Sequence, residues 1–194
     1  MISAIVDDYT GRTAEARRQT LIVTQTNADA MAINAGIHDR LHETGKTGEH
    51  ELPVTVLVRE KTQTEALKSV AGLAQHNGGV ALINQQYYTI HSPDAANGVV
   101  MLRDAEGRDH LLSAFESSLR DIAVFSRREI RLSEGDLVRF TRQDREQGRD
   151  TQTLWEVSGI ADNGDITLKH GESTRLIQPG REMSDMHLDY GYAG

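Results

Sequence analysis

A short run of strand-forming residues at 21–23 is followed by a helical pattern over residues 29–42. Three apolar residues of that pattern recur at intervals of four and share one helix face: Ile33, Ile37 and Leu41. Three polar residues near its start suit the helix N-cap: Thr26, Asn27 and Asp29. The pattern predicts strand, turn and helix, a junction that places polar groups at the ligand-binding edge of open α/β sheets. Any strand followed by a crossover helix looks similar, so the junction alone does not indicate a ligand site.

Short apolar runs separated by turn residues follow from residue 79 onward. The first four predict an antiparallel meander with strands at 80–83, 87–91, 99–103 and 110–112. The next six predict strands at 122–125, 130–132, 137–141, 154–160, 166–169 and 174–177. Many short strands with closely spaced turns indicate a small closed or nearly closed barrel. A last run at 187–192 predicts a strand that leaves this barrel.

The order of these patterns predicts an α/β plus β fold class in which a β-rich domain is inserted into an α/β element. The predicted boundaries are 1–60 for the α/β element, 61–179 for the inserted domain and 180–194 for a strand that returns to the first element. Further elements are predicted as helices at 2–9, 14–18 and 62–75 and as a strand at 52–58.

Charge limits the partners that this fold can bind. The 194 residues include 21 Lys and Arg against 29 Asp and Glu, a formal net charge of -8. This balance opposes sequence-independent binding to nucleic acid by the chain as a whole, so DNA contact requires a local basic patch. The absence of cysteine excludes disulfides and thiolate metal sites. No apolar run is long enough for a membrane span, so no membrane insertion is expected.

No motif supports catalysis or metal binding by this chain alone. Gly45-Lys46-Thr47 resembles the end of a P-loop, but Arg40 stands where that motif requires its first glycine, and an exposed loop is favoured. His38 and His42 lie one helical turn apart, yet no third ligand is evident, so two surface histidines are favoured over a metal site. We therefore predict no catalytic residue and no metal ligand.

An arginine cluster surrounds one aromatic residue, Phe140, in this otherwise acidic chain. Its members are Arg139, Arg142, Arg145 and Arg149. Strand alternation predicts that Phe140 is buried and that Arg139 points outward.

The arginine cluster has two interpretations. In the first it meets nucleic-acid phosphates, and bases stack on exposed aromatic residues. The candidates for stacking are Tyr87, Tyr88 and Trp155. In the second, which charge alone favours, the cluster is a solvated strand and loop whose arginines pair with acidic neighbours. Those neighbours are Asp136, Asp144 and Glu146.

Several collinear blocks resemble the C-terminal helicase region of conjugative relaxase-helicases of the F-plasmid TraI type. The blocks are Asp8-Tyr9, the run from Gln19 to Asn27, the run from Ile33 to His38, the run from Gly135 to Gly148, and the run from His187 to Ala193. The resemblance covers nearly the whole chain and is loosest over residues 46–80. Five blocks in the same order are far more specific than any one of them.

The resemblance implies a RecD-like fold and a place within a larger enzyme. The run that contains Leu-Ile-Val-Thr matches helicase motif IV, at the start of the second RecA-like domain, called 2A. The β-rich region matches the inserted 2B domain, which contains an SH3-like barrel. In such enzymes the P-loop lies in the first RecA-like domain, and a Thr-x-His-x-x-Gln-Gly block follows the closing strand. The chain is therefore expected to be a fragment without bound cofactor, inactive alone, whose parent uses ATP and Mg²⁺.

The resemblance also implies site residues. Thr24, Thr26 and Asn27 correspond to the DNA-facing end of the first 2A strand, and Asn34 to a residue that stabilises the following helix or its contacts. The barrel arginines that correspond to a position near single-stranded DNA are Arg139, Arg142 and Arg145. The chain departs from the family at Ala30 and Met31, where arginine is frequent, which weakens the expected contact of this helix with DNA or nucleotide.

Two functions are expected from the resemblance. As an enzyme module, the chain grips single-stranded DNA within an ATP-dependent 5′ to 3′ helicase. As an interaction module, it carries a translocation signal that docks to the type IV coupling protein without DNA. The parent relaxase-helicase is expected in the donor cytoplasm and is secreted into the recipient through a type IV system. An SH3-like adaptor unrelated to helicases is a third alternative.

Overall fold

A computed structural model of the chain describes residues 1–61, 67, 70–94, 99–111 and 121–194. It is a mixed α/β protein with two antiparallel sheets in which strands predominate. Contacts divide it into two compact units, Met1–Val56 with Glu129–Gly194, and Leu57–Arg128. This division by contacts does not test the domain boundaries at 60 and 179, which stay a prediction.

The first unit contains three α-helices: α1 Ile2–Thr10, α2 Ala14–Arg18 and α3 Asn27–Glu43. The hydroxyl of Thr26 accepts a hydrogen bond from the Asp29 amide at 3.0 Å and so caps α3. The apolar face predicted for this helix is buried, with Ile37 fully enclosed. The helix and its cap are therefore confirmed.

The strand predicted at 21–23 is reduced to a single parallel bridge between Ile22 and Ala193. The flanking Leu21 and Val23 are 49% and 79% exposed. A strand of an α/β sheet buries both faces, and here about half of Leu21 and most of Val23 stay exposed. Apolar composition was therefore a poor guide to strand length at this point.

The first unit also contains a five-stranded antiparallel sheet. Its strands are β7 Leu137–Phe140, β8 Trp155–Ile160, β9 Ile166–His170, β10 Ser173–Ile177 and β11 Leu188–Tyr190, in the order β10-β9-β8-β7-β11. A 3₁₀-helix, Met183–Met186, precedes β11. The last strand was predicted to leave the barrel, but it pairs with β7 because Leu188 and Tyr190 bury their side chains there.

The second sheet has the order β1-β6-β2-β3-β4-β5. Its strands are β1 Leu52–Arg59, β2 Val80–Ile83, β3 Gln86–Asp94, β4 Val99–Arg103, β5 Asp109–Leu111 and β6 Ile122–Leu132. The antiparallel meander is confirmed for β2 to β5. The two strands predicted at 122–125 and 130–132 are one continuous strand, since the intervening polar residues keep the extended conformation.

The helix predicted at 62–75 is confirmed where it is described, as α4 Val70–Ala74. Most of its first half lies outside the described residues, as does Leu112 of the strand predicted at 110–112. Across the described ranges, none of the helices combines the length and apolar character that a membrane span requires.

Candidate nucleic-acid interface

The start of α3 brings together three of the residues predicted to contact DNA. The backbone amide of Thr24 donates to the carbonyl of Gly194 at 3.0 Å. The side-chain hydroxyl of Thr24 donates to the carbonyl of Thr26 at 3.0 Å. Thr26 caps the helix, and Asn27 is exposed in its first turn. The backbone of residues 22–24 is thus fixed beside residues 192–194. Whether these side chains touch DNA stays a prediction.

Asn34, the fourth residue of that group, is buried with 3% of its surface exposed. Its amide nitrogen donates to the carbonyl of Ala193 at 3.0 Å, and its amide oxygen accepts from the Ala193 amide at 2.7 Å. Both ends of the side chain therefore hold the backbone that pairs with Ile22. This geometry suits the stabilising role that the resemblance implied, and a direct DNA contact by Asn34 stays a prediction.

The arginines predicted near DNA lie on β7 and in the loop that follows it. Arg139 is half-buried and donates through Nη1 to the carbonyl of Gln152 at 2.9 Å. Arg142 is half-buried and Arg145 is exposed. Among the ion pairs of the described residues, neither Arg142 nor Arg145 meets a carboxylate. Their guanidinium groups therefore remain available to a ligand.

Two of the three acidic neighbours proposed for the arginine cluster, Asp136 and Asp144, contact other groups, and neither forms an ion pair with Arg142 or Arg145 among the described residues. Asp136 is fully buried and accepts a hydrogen bond from the Ser133 amide, and Asp144 accepts from the Gln147 amide at 3.1 Å. Arg149 instead pairs with Asp185 at 2.5 Å. The interpretation as a loop of internally paired arginines therefore does not describe Arg142 and Arg145.

The aromatic residues differ from one another in exposure. Phe140 is 1% exposed and lies under the Arg149 guanidinium at 4.7 Å, which confirms its predicted burial. Trp155 is 6% exposed and packs edge-on against Phe140, so the stacking role suggested for it is wrong. Tyr87 and Tyr88 are partly exposed.

A buried polar network that the sequence pattern did not predict lies beside this region. His38 was interpreted as a surface residue, but it is only 2% exposed. Its Nδ1 lies 2.8 Å from Oδ2 of Asp136, and its Nε2 lies 2.8 Å from Oε1 of Glu51. Asp136 also accepts from the Ser133 amide at 2.8 Å and from the Tyr192 hydroxyl at 2.5 Å. The network thus joins α3 to the start of β7 and to the last residues of the chain.

Helical spacing contained a signal for this network. Asn34 and His38 each follow one residue after an apolar position of α3, so they flank the buried face rather than oppose it. A polar side chain in that place requires a partner, because an unpaired buried polar group costs free energy. No group of three His, Asp or Glu residues in the described part of the chain suits a metal ion.

The geometry of the network indicates which of its groups carry protons. Both ring nitrogens of His38 face carboxylate oxygens, and Asp136 accepts hydrogen bonds on both of its oxygens. Burial acts to lower the pKa of His38, but the hydrogen bonds and charges of Asp136 and Glu51 outweigh it and raise the pKa above 6.5. The raised pKa and the two facing carboxylates both favour the imidazolium form of His38, which donates to Asp136 and Glu51.

We expect stability to fall above pH 6.5 as His38 loses its proton. A histidine whose pKa is raised on folding contributes stability that is complete below its unfolded value of 6.5 and is lost as pH rises through the folded value. His187 acts in the opposite direction below pH 6.5, since burial and the charges of Arg142 and Arg149 lower its pKa to about 4. Urea unfolding between pH 6.5 and 9 measures the His38 contribution, with a slope of at most about 1.4 kcal/mol per pH unit.

The control is His38→Asn, which removes the titrating ring. The difference in unfolding free energy between the wild type and this variant cancels the contribution of His187. We expect this difference to shrink steadily as pH rises. A difference that stays constant across the range would contradict a charged His38.

Comparison with known proteins relates the chain to a segment of larger proteins. No protein-family model matches the chain. The chain is 36% identical over 193 residues to the multifunctional conjugation protein TraI of Escherichia coli, and equally to that of E. coli strain K12. The match covers 100% of this chain and 11% of the length of each relative. Over its full length the chain is therefore related to one segment of TraI-type conjugation proteins, which confirms the resemblance drawn from the sequence blocks.

Proposed function

We propose that the chain is the 2A/2B portion of a conjugative relaxase-helicase and that its role is to grip single-stranded DNA. The proposal rests on the full-length similarity to a segment of TraI together with one structural observation. Arg142 and Arg145 keep guanidinium groups without a carboxylate partner, among the ion pairs of the described residues, in a chain of net charge -8. Uncompensated arginines in an acidic protein mark the place where phosphate binding is favoured.

The finer architecture belongs to the same proposal. In it the N-terminal helices and the Ile22–Ala193 bridge are part of a RecA-like 2A domain. The β-rich residues 61–179 form the inserted 2B domain with an SH3-like barrel, and residues 180–194 return to 2A. The short turns and antiparallel pairing of β7 to β10 support this assignment.

ATP and Mg²⁺ are assigned to another part of the parent enzyme. The sequence contains no Gly-x-x-x-x-Gly-Lys-Ser/Thr motif that would hold nucleotide phosphates, and the described residues offer no acidic cluster for the metal. The residues present thus do not fit this cofactor. The role of the chain is positional: it binds the strand while hydrolysis takes place elsewhere.

The test is fluorescence anisotropy of a labelled single-stranded oligonucleotide at several salt concentrations. We expect the double variant Arg142→Ala/Arg145→Ala to bind several-fold more weakly at low salt. Its slope of log affinity against log salt should fall by about 1.4, because each phosphate contact on a single strand contributes about 0.7.

A matched control distinguishes DNA binding by a local arginine patch from an effect of the total charge of the chain. The double variant Arg12→Ala/Arg40→Ala removes the same two charges, but these arginines already pair with Asp8 and Asp7. We expect it to bind nearly as the wild type does. Equal weakening of DNA binding by both double variants would contradict the assignment of the DNA contact to Arg142 and Arg145.

The alternative is a translocation signal read by the type IV coupling protein. The acidic balance of the whole chain favours a protein partner over nonspecific DNA binding. In this proposal the parent protein moves from the donor cytoplasm to the recipient, with the folded surface as the recognition element. A transfer assay of the full parent protein distinguishes the two functions. Retained transfer with lost DNA binding in Arg142→Ala/Arg145→Ala assigns the loop to DNA, and the reverse assigns it to the coupling protein.

A further inference from the structure

A row of side chains crosses four strands of the five-stranded sheet and ends at Leu137, a buried residue of the apolar core. Consecutive register pairs join Thr174 to Lys169, Lys169 to Glu156, and Glu156 to Leu137. Side chains directly opposite one another in antiparallel strands point to the same side of the sheet. The row therefore places a hydroxyl, a cation, a carboxylate and an apolar side chain next to each other on four adjacent strands.

This row borders a cavity of about 440 Å³. Its walls include Arg18, from the end of α2, together with Glu156 and Lys169 and the apolar side chains of Leu137 and Leu154. Nη2 of Arg18 lies 3.1 and 3.2 Å from the two carboxylate oxygens of Glu156. The volume lies within the range of small-ligand sites, about 300–1,000 Å³.

The cavity combines three kinds of contact. Lys169 is exposed at its rim and, among the ion pairs of the described residues, has no carboxylate partner. The described hydrogen bonds of Arg18 use Nη2 alone, so Nη1 and Nε face no assigned acceptor. Leu137 and Leu154 supply apolar surface, and Glu156 supplies an acceptor that Arg18 holds in place.

We propose that this cavity binds one nucleotide of a single DNA strand, an inference that rests on the proposed function and adds a second contact to it. Lys169 and Arg18 meet the phosphate, and the two leucines pack against the base. Glu156 accepts a hydrogen bond from an exocyclic amino group, as acidic side chains do from cytosine. Cytosine carries that group and thymine does not. The cavity therefore gives the chain a preference among bases, which the arginine loop cannot provide through phosphate contacts alone.

The experiment compares binding of labelled dC and dT 20-mers by fluorescence anisotropy. We expect the wild type to bind the dC strand about three- to tenfold more tightly, as one well-placed hydrogen bond at a partly exposed site allows. Glu156→Gln should bring the ratio close to one, because its amide also donates to the O4 acceptor of thymine. Lys169→Ala should weaken both strands equally and lower the salt slope by about 0.7.

The outcomes separate this inference from the proposed function. Absence of binding to either strand at low salt overturns both. Binding that depends on Arg142 and Arg145, but that neither Glu156→Gln nor Lys169→Ala alters, overturns the cavity alone. Unlabelled dCMP is expected to compete weakly, because it lacks the neighbouring phosphates that the arginine loop meets. Competition by dCMP as strong as that of the dC strand would assign the cavity to a free nucleotide instead. An unchanged urea midpoint in each variant shows that folding is intact.

Discussion

Replacing Asp136 by alanine is expected to lower the free energy of unfolding by about 3–5 kcal/mol, the usual cost of removing one partner from a buried ion pair. Asp136 is fully buried and holds the imidazolium of His38 at 2.8 Å. It also accepts from the Ser133 amide and from the Tyr192 hydroxyl. Its loss leaves a buried positive charge with half of its compensation and leaves two donors without an acceptor.

Urea unfolding at pH 6.5 measures this loss through the shift of the midpoint at constant slope. Asp162→Ala is the matched control, since this aspartate is exposed in the turn between β8 and β9, and it should change stability by less than about 0.5 kcal/mol. Asp136→Asn keeps the size of the side chain and one acceptor oxygen, so we expect a smaller loss than for alanine. A loss below about 1 kcal/mol in Asp136→Ala would mean that the network contributes little.

The elements that were predicted correctly depend on local sequence. The strands β2 to β4 and β7 to β10 follow from short apolar runs and from turn residues close by. The start of α3 follows from a hydroxyl three residues ahead of the amide that it caps. Each of these features depends on neighbours within a few residues, and the sequence displays such neighbours directly.

The features that were missed depend on distant partners. His38 meets a carboxylate 98 residues away, and Asn34 holds a backbone segment 159 residues away. Helical spacing indicates that these two residues flank a buried face, but it does not indicate which distant groups they contact, and His38 was interpreted as a surface histidine. The same limit applies to β11. It pairs with β7, and its own residues do not indicate which distant strand it pairs with.

The candidate interface was predicted only in part, because some of its features also depend on distant partners. The sequence located the arginine cluster and the burial of Phe140, since both follow from composition and alternation. It did not distinguish Arg149, which pairs with Asp185, from Arg142 and Arg145, because pairing depends on a helix more than 30 residues away. The cavity beside Glu156 and Lys169 was not predicted either, since it exists only where three strands and α2 come together.

Asn34→Ala tests whether this residue belongs to the fold or to the DNA contact. We expect the free energy of unfolding to fall by about 2–4 kcal/mol, because the Ala193 amide and carbonyl both lose their hydrogen-bond partner in a buried place. Urea unfolding at pH 6.5 gives this value. Ala193 also pairs with Ile22. Loss of the two hydrogen bonds between Asn34 and Ala193 should therefore loosen the backbone that leads to Thr24.

Asn27→Ala is the control for that experiment, as it removes the same amide from an exposed position in the first turn of the same helix. It should leave stability within about 0.5 kcal/mol of the wild type. If Asn27 contacts DNA, the anisotropy titration should show weaker binding by this variant at unchanged stability. The opposite pattern, a stable Asn34→Ala protein with lost DNA binding, would move Asn34 from the fold to the interface. Stability and affinity measured on the same pair of variants therefore assign the two asparagines of α3 to different roles, because only one of them has both ends of its side chain enclosed by the protein.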